Sequence, residues 1–172
     1  MHGLWRCLMN ISAKLKQSDL ARSWAWLLPA AYALHVVEEA FGGHGLIEWM
    51  AAGGGVQLSM GAFLGVNLVG VLVLSLAAWA VRRWRFWQWP LVGGATVLLA
   101  NGIWHNVLCL TTRSYVPGVL TGLFLYLPVG GFLLHRLRRT TSPWVLISAI
   151  AFGLVVHRVT LWLVLGMPVF EM

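Results

Sequence analysis

The sequence predicts an all-α, multi-pass membrane protein. Three observations predict it: 59% of the 172 residues are hydrophobic, only 10% are charged, and the mean hydropathy is +0.78. A soluble domain is nearer half apolar and about a quarter charged, so an ordinary aqueous globule is excluded. Two cysteines and the absence of any low-complexity repeat exclude a disulfide scaffold, a collagen-like fibre and a disordered chain. The apolar residues fall in blocks near the ~20 that a helix needs to cross a bilayer, and the blocks lack the alternation of strands.

The first 22 residues carry Lys14, Lys16, Asp19 and Arg22, which interrupt any apolar core of a cleavable signal. They are expected on the cytoplasmic side, either as a polar tail or with Leu4, Trp5, Leu8, Ile11 and Leu15 forming one face of a helix on the inner leaflet. A single transmembrane domain then covers residues 23–168, with five helices at about 24–41, 57–81, 90–110, 116–134 and 144–165. Gly53-Gly54-Gly55 marks a loop before the second helix. Gly61 with Gly65, and Gly118 with Gly122, are small residues four apart, a spacing that allows close helix packing.

The net charge of +7 and pI of about 10.5 would suggest nucleic acid in a soluble protein, but the distribution argues against it. Ten of the twelve Lys and Arg residues lie before the first helix, after the second (Arg82, Arg83, Arg85) or after the fourth (Arg136, Arg138, Arg139). An alternating topology puts all three segments on one side, so the basic balance is a topology signal. The N-terminus is expected inside and the C-terminus outside, in a plasma or inner membrane. Trp24, Trp26, Trp84, Trp87, Trp89 and Trp144 sit beside the basic segments, with Trp49 and Trp162 nearer the other side, as aromatic belts do. Cys7 and Cys109 fall on opposite sides and are not expected to pair.

Ionisable groups within a span cost a few kcal/mol each at mid-bilayer and need a reason to be there. The first helix carries His35, Glu38 and Glu39, whose i, i+3, i+4 spacing puts them on one face. The third carries Asn101 and His105, again four apart, with Asn106 beside them; the fifth carries His157 and Arg158. Tyr115, Pro117 and Thr121 open the fourth. At about 1.5 Å per residue, His35 lies roughly 17 Å from the inner end of its helix, Asn101 roughly 17 Å, His105 roughly 22 Å and His157 roughly 20 Å. Polar groups from four helices therefore converge on one layer in the outer half of the membrane, as one buried site. Asn67 is read instead as an ordinary helix-to-helix hydrogen bond, and Arg158 either neutralises a glutamate or belongs to the site. His44, Glu48 and His135 are expected in solvent.

His35-Val36-Val37-Glu38-Glu39 resembles the motif that names the HXXEE family of integral membrane proteins. Asn101-Gly102-Ile103-Trp104-His105 and Arg113-Ser114-Tyr115-Val116-Pro117-Gly118, followed by Thr121, resemble two later motifs of that family. Val116 stands where a serine is common in the last of these. The resemblance covers about residues 24–134 and implies a shared architecture and site, but no activity.

Three functions follow from the chemistry. The first is a metal-dependent enzyme with His35, Glu38, His105 and His157 as ligands for zinc, iron or manganese. In it Glu38, Glu39, Asn101 and Tyr115 take catalytic roles: one glutamate as general base or as partner of a histidine, Asn101 and Tyr115 on substrate or water. A site in the outer half of the bilayer suits a lipid or isoprenoid-like substrate drawn from the surrounding membrane lipids. The second is a metal-free Glu/His acid–base isomerase, with Trp104 facing a developing cation. The third is a lipid-binding or proton- or ion-carrying protein, of which the carrier is disfavoured by the lack of an inverted repeat or a broken helix. The topology is testable by single-cysteine labelling, which should place the Arg82 and Arg136 segments on the inner face; labelling from outside overturns it.

Overall fold

The computed structural model describes residues 23–52, 59–81 and 83–165, and all regular structure among them is helical. The first 22 residues, Cys7, and Gly53-Gly54-Gly55 lie outside the described residues. A 3-10 turn, Trp24–Trp26, leads into α1 (Leu27–Phe41). A short helix, α2 (Gly45–Ala52), precedes α3 (Met60–Ala80). A second 3-10 turn, Arg85–Trp87, leads into α4 (Gln88–Thr112). Helix α5 (Val119–Leu137) contains a π segment at Gly122–Tyr126, and α6 (Pro143–Leu165) completes the chain.

Four helices are long and apolar enough to cross a membrane: Met60–Ala80, Gln88–Thr112, Val119–Leu137 and Pro143–Leu163. Helix α1 has 15 residues, about 23 Å, and falls short of that length by itself. The outward faces carry continuous apolar side chains, such as Val66, Leu68, Val69, Leu72 and Leu76 on α3. A soluble surface does not expose patches of that extent; a lipid-facing one does.

Local chemistry sets the helix ends. Ser59 is extended and its hydroxyl accepts from Ala62 N at 3.2 Å, so α3 begins at Met60 rather than at 57. Arg113 takes a left-handed conformation (φ 52°) and ends α4 at Thr112, two residues past the expected limit. Gly118 (φ 97°) lets α5 start only at Val119, three residues later than the sequence suggests. The π segment also has a cause. Pro128 has no N–H, and the residue before it reaches back five positions, Leu127 N to Gly122 O, in place of the usual four.

Helix α4 is the hub, packing on α1, α3, α5 and α6. Near one end Ala25, Leu28, Ala31, Ala77, Ala95 and Leu98 form a tight, small-residue core, and near the other Ala40, Leu46, Met50 and Phe63 seat α2 against α1 and α3. Close approach uses the second of the glycine pairs read from spacing, Gly118 and Gly122, together with glycines outside both pairs. A Cβ on Gly153 of α6 would lie 2.5 Å from Gly93 O of α4, and one on Gly102 of α4 would lie 2.9 Å from Gly122 O of α5. Gly61 and Gly65 meet nothing within 4 Å and mediate no packing among the described residues. Gly153→Ala is therefore expected to lower stability by about 1–3 kcal/mol, because backbone must move. Gly61→Ala should not destabilise and gains helix propensity of up to about 1 kcal/mol. Denaturation in mild detergent measures both; equal losses would mean that this packing is wrong.

Candidate metal centre

The site is organised by how α5 begins. Its first turn leaves amide N–H groups without helical partners, and Gly118, at the cap position, has no side chain to offer. The cap comes from α1. Glu38 Oε1 accepts from Leu120 N at 3.0 Å and from the Tyr115 hydroxyl at 2.8 Å, and Oε2 accepts from Thr121 N at 2.6 Å and from the Thr121 hydroxyl. A carboxylate at a helix N-terminus is favoured by the helix dipole as well. Burial and this hydrogen bond to Glu38 push the Tyr115 phenol up to about 12, so it stays a donor throughout the physiological range.

The same cap orients His35. The single Thr121 hydroxyl proton goes to Glu38, which leaves Thr121 Oγ1 to accept, and His35 Nδ1 lies 2.7 Å from it. Nδ1 therefore carries the ring proton and Nε2 presents its lone pair. That lone pair faces Glu39 Oε1 at 3.3 Å and the Asn101 amide nitrogen at 3.0 Å. His105 of α4 brings its Nε2 to 3.1 Å from the same Glu39 oxygen. His35, Glu39 and His105 are all buried, and their three ligand-type atoms lie within 4.8 Å of one another. Ligands held at about 2.1 Å in a tetrahedron stand roughly 3.4 Å apart, close to the separations of Glu39 Oε1 from the two nitrogens. Gly118 is needed here twice, for its positive φ and because a Cβ there would sit 2.7 Å from His105 and 2.8 Å from His35 ring carbons.

The residues expected from the sequence divide into groups. His35, Glu39 and His105 converge, and Asn101 touches them. Glu38 and Tyr115 stand one step back, on the α5 cap. His157 is buried and lines the same cavity, but lies outside the close three-atom set; its neighbour Arg158 does not line the cavity. Asn106 turns back to Gly102 O, and Asn67 accepts from Tyr32 and donates to Phe63 O, a helix-to-helix contact as read. His44, Glu48 and His135 are exposed.

Two residues were not legible as parts of the site. Tyr126 stacks on His35 with ring centroids 4.0 Å apart, although it lies five positions beyond Thr121. On a regular helix those positions point roughly 140° apart, and the π segment brings both onto His35. Pro128 was the available signal. The second is Gly118, read from spacing as a packing residue.

Below this cluster lies a cavity of about 480 Å³ between α1, α3, α4 and α6, with Leu46 and Trp49 of α2 at one end and Leu74 and Pro90 toward the other. Its wall is apolar apart from the cluster, Tyr32, Asn67, Tyr126, His157 and Thr160. The two adjacent glutamates thus have separable effects. Glu38→Gln should lower stability by about 2 kcal/mol through the weakened cap, whereas Glu39→Gln, which leaves the cap intact, should cost less. Detergent-phase melting of the two variants decides it, and the reverse order would contradict the assignment.

Comparison with known protein families matches the family described as a protein of unknown function with HXXEE motif, over residues 26–133. No curated protein and no solved structure matches. The matched segment runs from the start of α1 to within α5, holds His35, Glu38, Glu39, Asn101, His105, Tyr115 and Thr121, and exceeds half the chain; the protein belongs to the HXXEE family.

Proposed function

We propose that this protein is a metal-dependent membrane enzyme acting on a lipid or isoprenoid-like substrate. The observation that supports it is the pairing of two acceptors, the His35 Nε2 lone pair and Glu39 Oε1, beside His105 Nε2 at the head of a deep apolar cavity. The His35 Nε2 lone pair and Glu39 Oε1 lie 3.3 Å apart in a low-dielectric interior with one amide, from Asn101, and one imidazole, from His105, beside them, and a cation between them would complete the set. His35 is held for ligation through Nδ1 by Thr121 and Glu38, the outer-shell arrangement that fixes tautomer and ring direction in metal sites. A zinc, iron or manganese ion held by His35, Glu39 and His105 would supply Lewis acidity toward a substrate oxygen. Asn101, beside His35, would orient that oxygen, and His157, on the cavity wall, would exchange a proton with the substrate. Of the adjacent glutamates, Glu39 is the ligand and Glu38 the positioning residue.

We also read α1 as a fifth membrane segment, entered through the Trp24–Trp26 turn, with the N-terminus inside. Leu34, Val37 and Phe41 form an exposed apolar stripe on the side opposite the buried His35 and Glu39, as on the four longer helices.

Elemental analysis of untagged protein in mild detergent tests the proposal. About one transition metal per chain is expected, lost in Glu39→Gln and His105→Ala and retained in Glu38→Gln. Thr121→Val should weaken the metal about 10- to 100-fold by freeing the His35 ring. No metal in any preparation, under conditions that spare weak sites, overturns the proposal. The direct Glu39–His105 contact would then favour the acid–base isomerase.

A further inference from the structure

The cavity holds more information than the metal site uses. At roughly 30 Å³ for a group the size of water or a methylene, its 480 Å³ corresponds to about sixteen such groups, the size of one long chain. It is lined along α4 from Pro90 to Leu108, a path of about 27 Å, which suits an extended chain rather than a compact ring. Helices α3 and α6 both contribute to its wall yet are not among the extensively packed pairs, so among the described residues the cavity is left open along that side. No Lys or Arg lines it among the described residues, and Glu39 stands at its head. A phosphate head would meet a carboxylate there without the guanidinium or ammonium partners it needs.

The head has a donor waiting for it. Tyr126 is fully buried, lines the cavity and is stacked on His35, and its hydroxyl has no hydrogen-bond partner among the described residues. The other cavity phenol, Tyr32, already donates to Asn67 at 2.7 Å. An unpaired hydroxyl in an apolar interior carries a desolvation cost that a ligand oxygen removes. We infer that the cavity binds a single-chain lipid with a small uncharged oxygen head, of the long-chain alcohol, aldehyde or ester class, and that Tyr126 donates a hydrogen bond to that head. The inference rests on the metal-site reading for the chemistry at the head, and the binding of the chain does not require it.

Native mass spectrometry of the full chain released from mild detergent tests this, with 1-hexadecanol, dipalmitoylglycerol and dipalmitoylphosphatidylcholine as probes. One hexadecanol per chain is expected, with neither two-chain lipid binding or competing. Tyr126→Phe, which keeps the stacking, should weaken hexadecanol about 3- to 10-fold without changing metal content. Val97→Trp, which fills the slot from α4, should abolish binding. Two-chain lipids binding as well as hexadecanol would overturn the inference with no variant needed. Unchanged affinity in a folded Tyr126→Phe would overturn the role of Tyr126. The same spectra weigh the metal: hexadecanol adducts with no metal on any chain, in preparations that spare weak sites, sink the metal reading alone, and metal-loaded chains without an adduct sink this one alone.

Discussion

The carboxylate of Glu38 on the first turn of α5 is the contact from which the rest of the site follows. It joins α1 to α5 across the protein and supplies the partners that Gly118 cannot. Because it also takes the Thr121 proton, it decides which nitrogen of His35 is protonated. A helix cap, a tautomer and the direction of a ligand lone pair are thus one interaction seen at three distances. Such coupling is economical in a membrane, where water cannot complete a missing hydrogen bond and every buried polar group must find its partner in protein.

The arrangement also resolves how two adjacent acidic residues share a buried layer. Successive positions on a helix point about 100° apart, so Glu38 and Glu39 look toward different neighbours. The charge of Glu38 is met by two amides, two hydroxyls and the positive end of α5, while Glu39 has the His105 imidazole and, in the proposed reading, the cation it would share with His35. Each carboxylate has its own compensation, and the repulsion expected of a like-charged pair does not arise at one place.

Much of this was readable from the chain itself. Apolar blocks marked the helices because burial in lipid demands continuous hydrophobicity, and the depth of His35, Asn101 and His105 marked a common layer because rise per residue is constant. What could not be read was which glutamate faces inward, since Glu38 and Glu39 both fit the i+3 or i+4 relation to His35. That choice depends on where α5 begins, which Gly118 sets by its backbone conformation rather than by any periodic signal. Helix α2 escaped for a related reason: at eight residues it is too short to stand out between two loops. Tyr126 escaped because periodicity assumes an unbroken ladder.

The π segment in α5 has a consequence for the whole helix. Residues before Gly122 and after Tyr126 lie on two helical phases offset by the extra residue. The portion next to Gly118 takes its facing from the Glu38 cap and the portion before Leu137 from packing around Leu133, and neither dictates the other. A single wheel drawn through Val119–Leu137 therefore mixes two faces. The helix works as two short rotors sharing an axis, each free to satisfy its own neighbours.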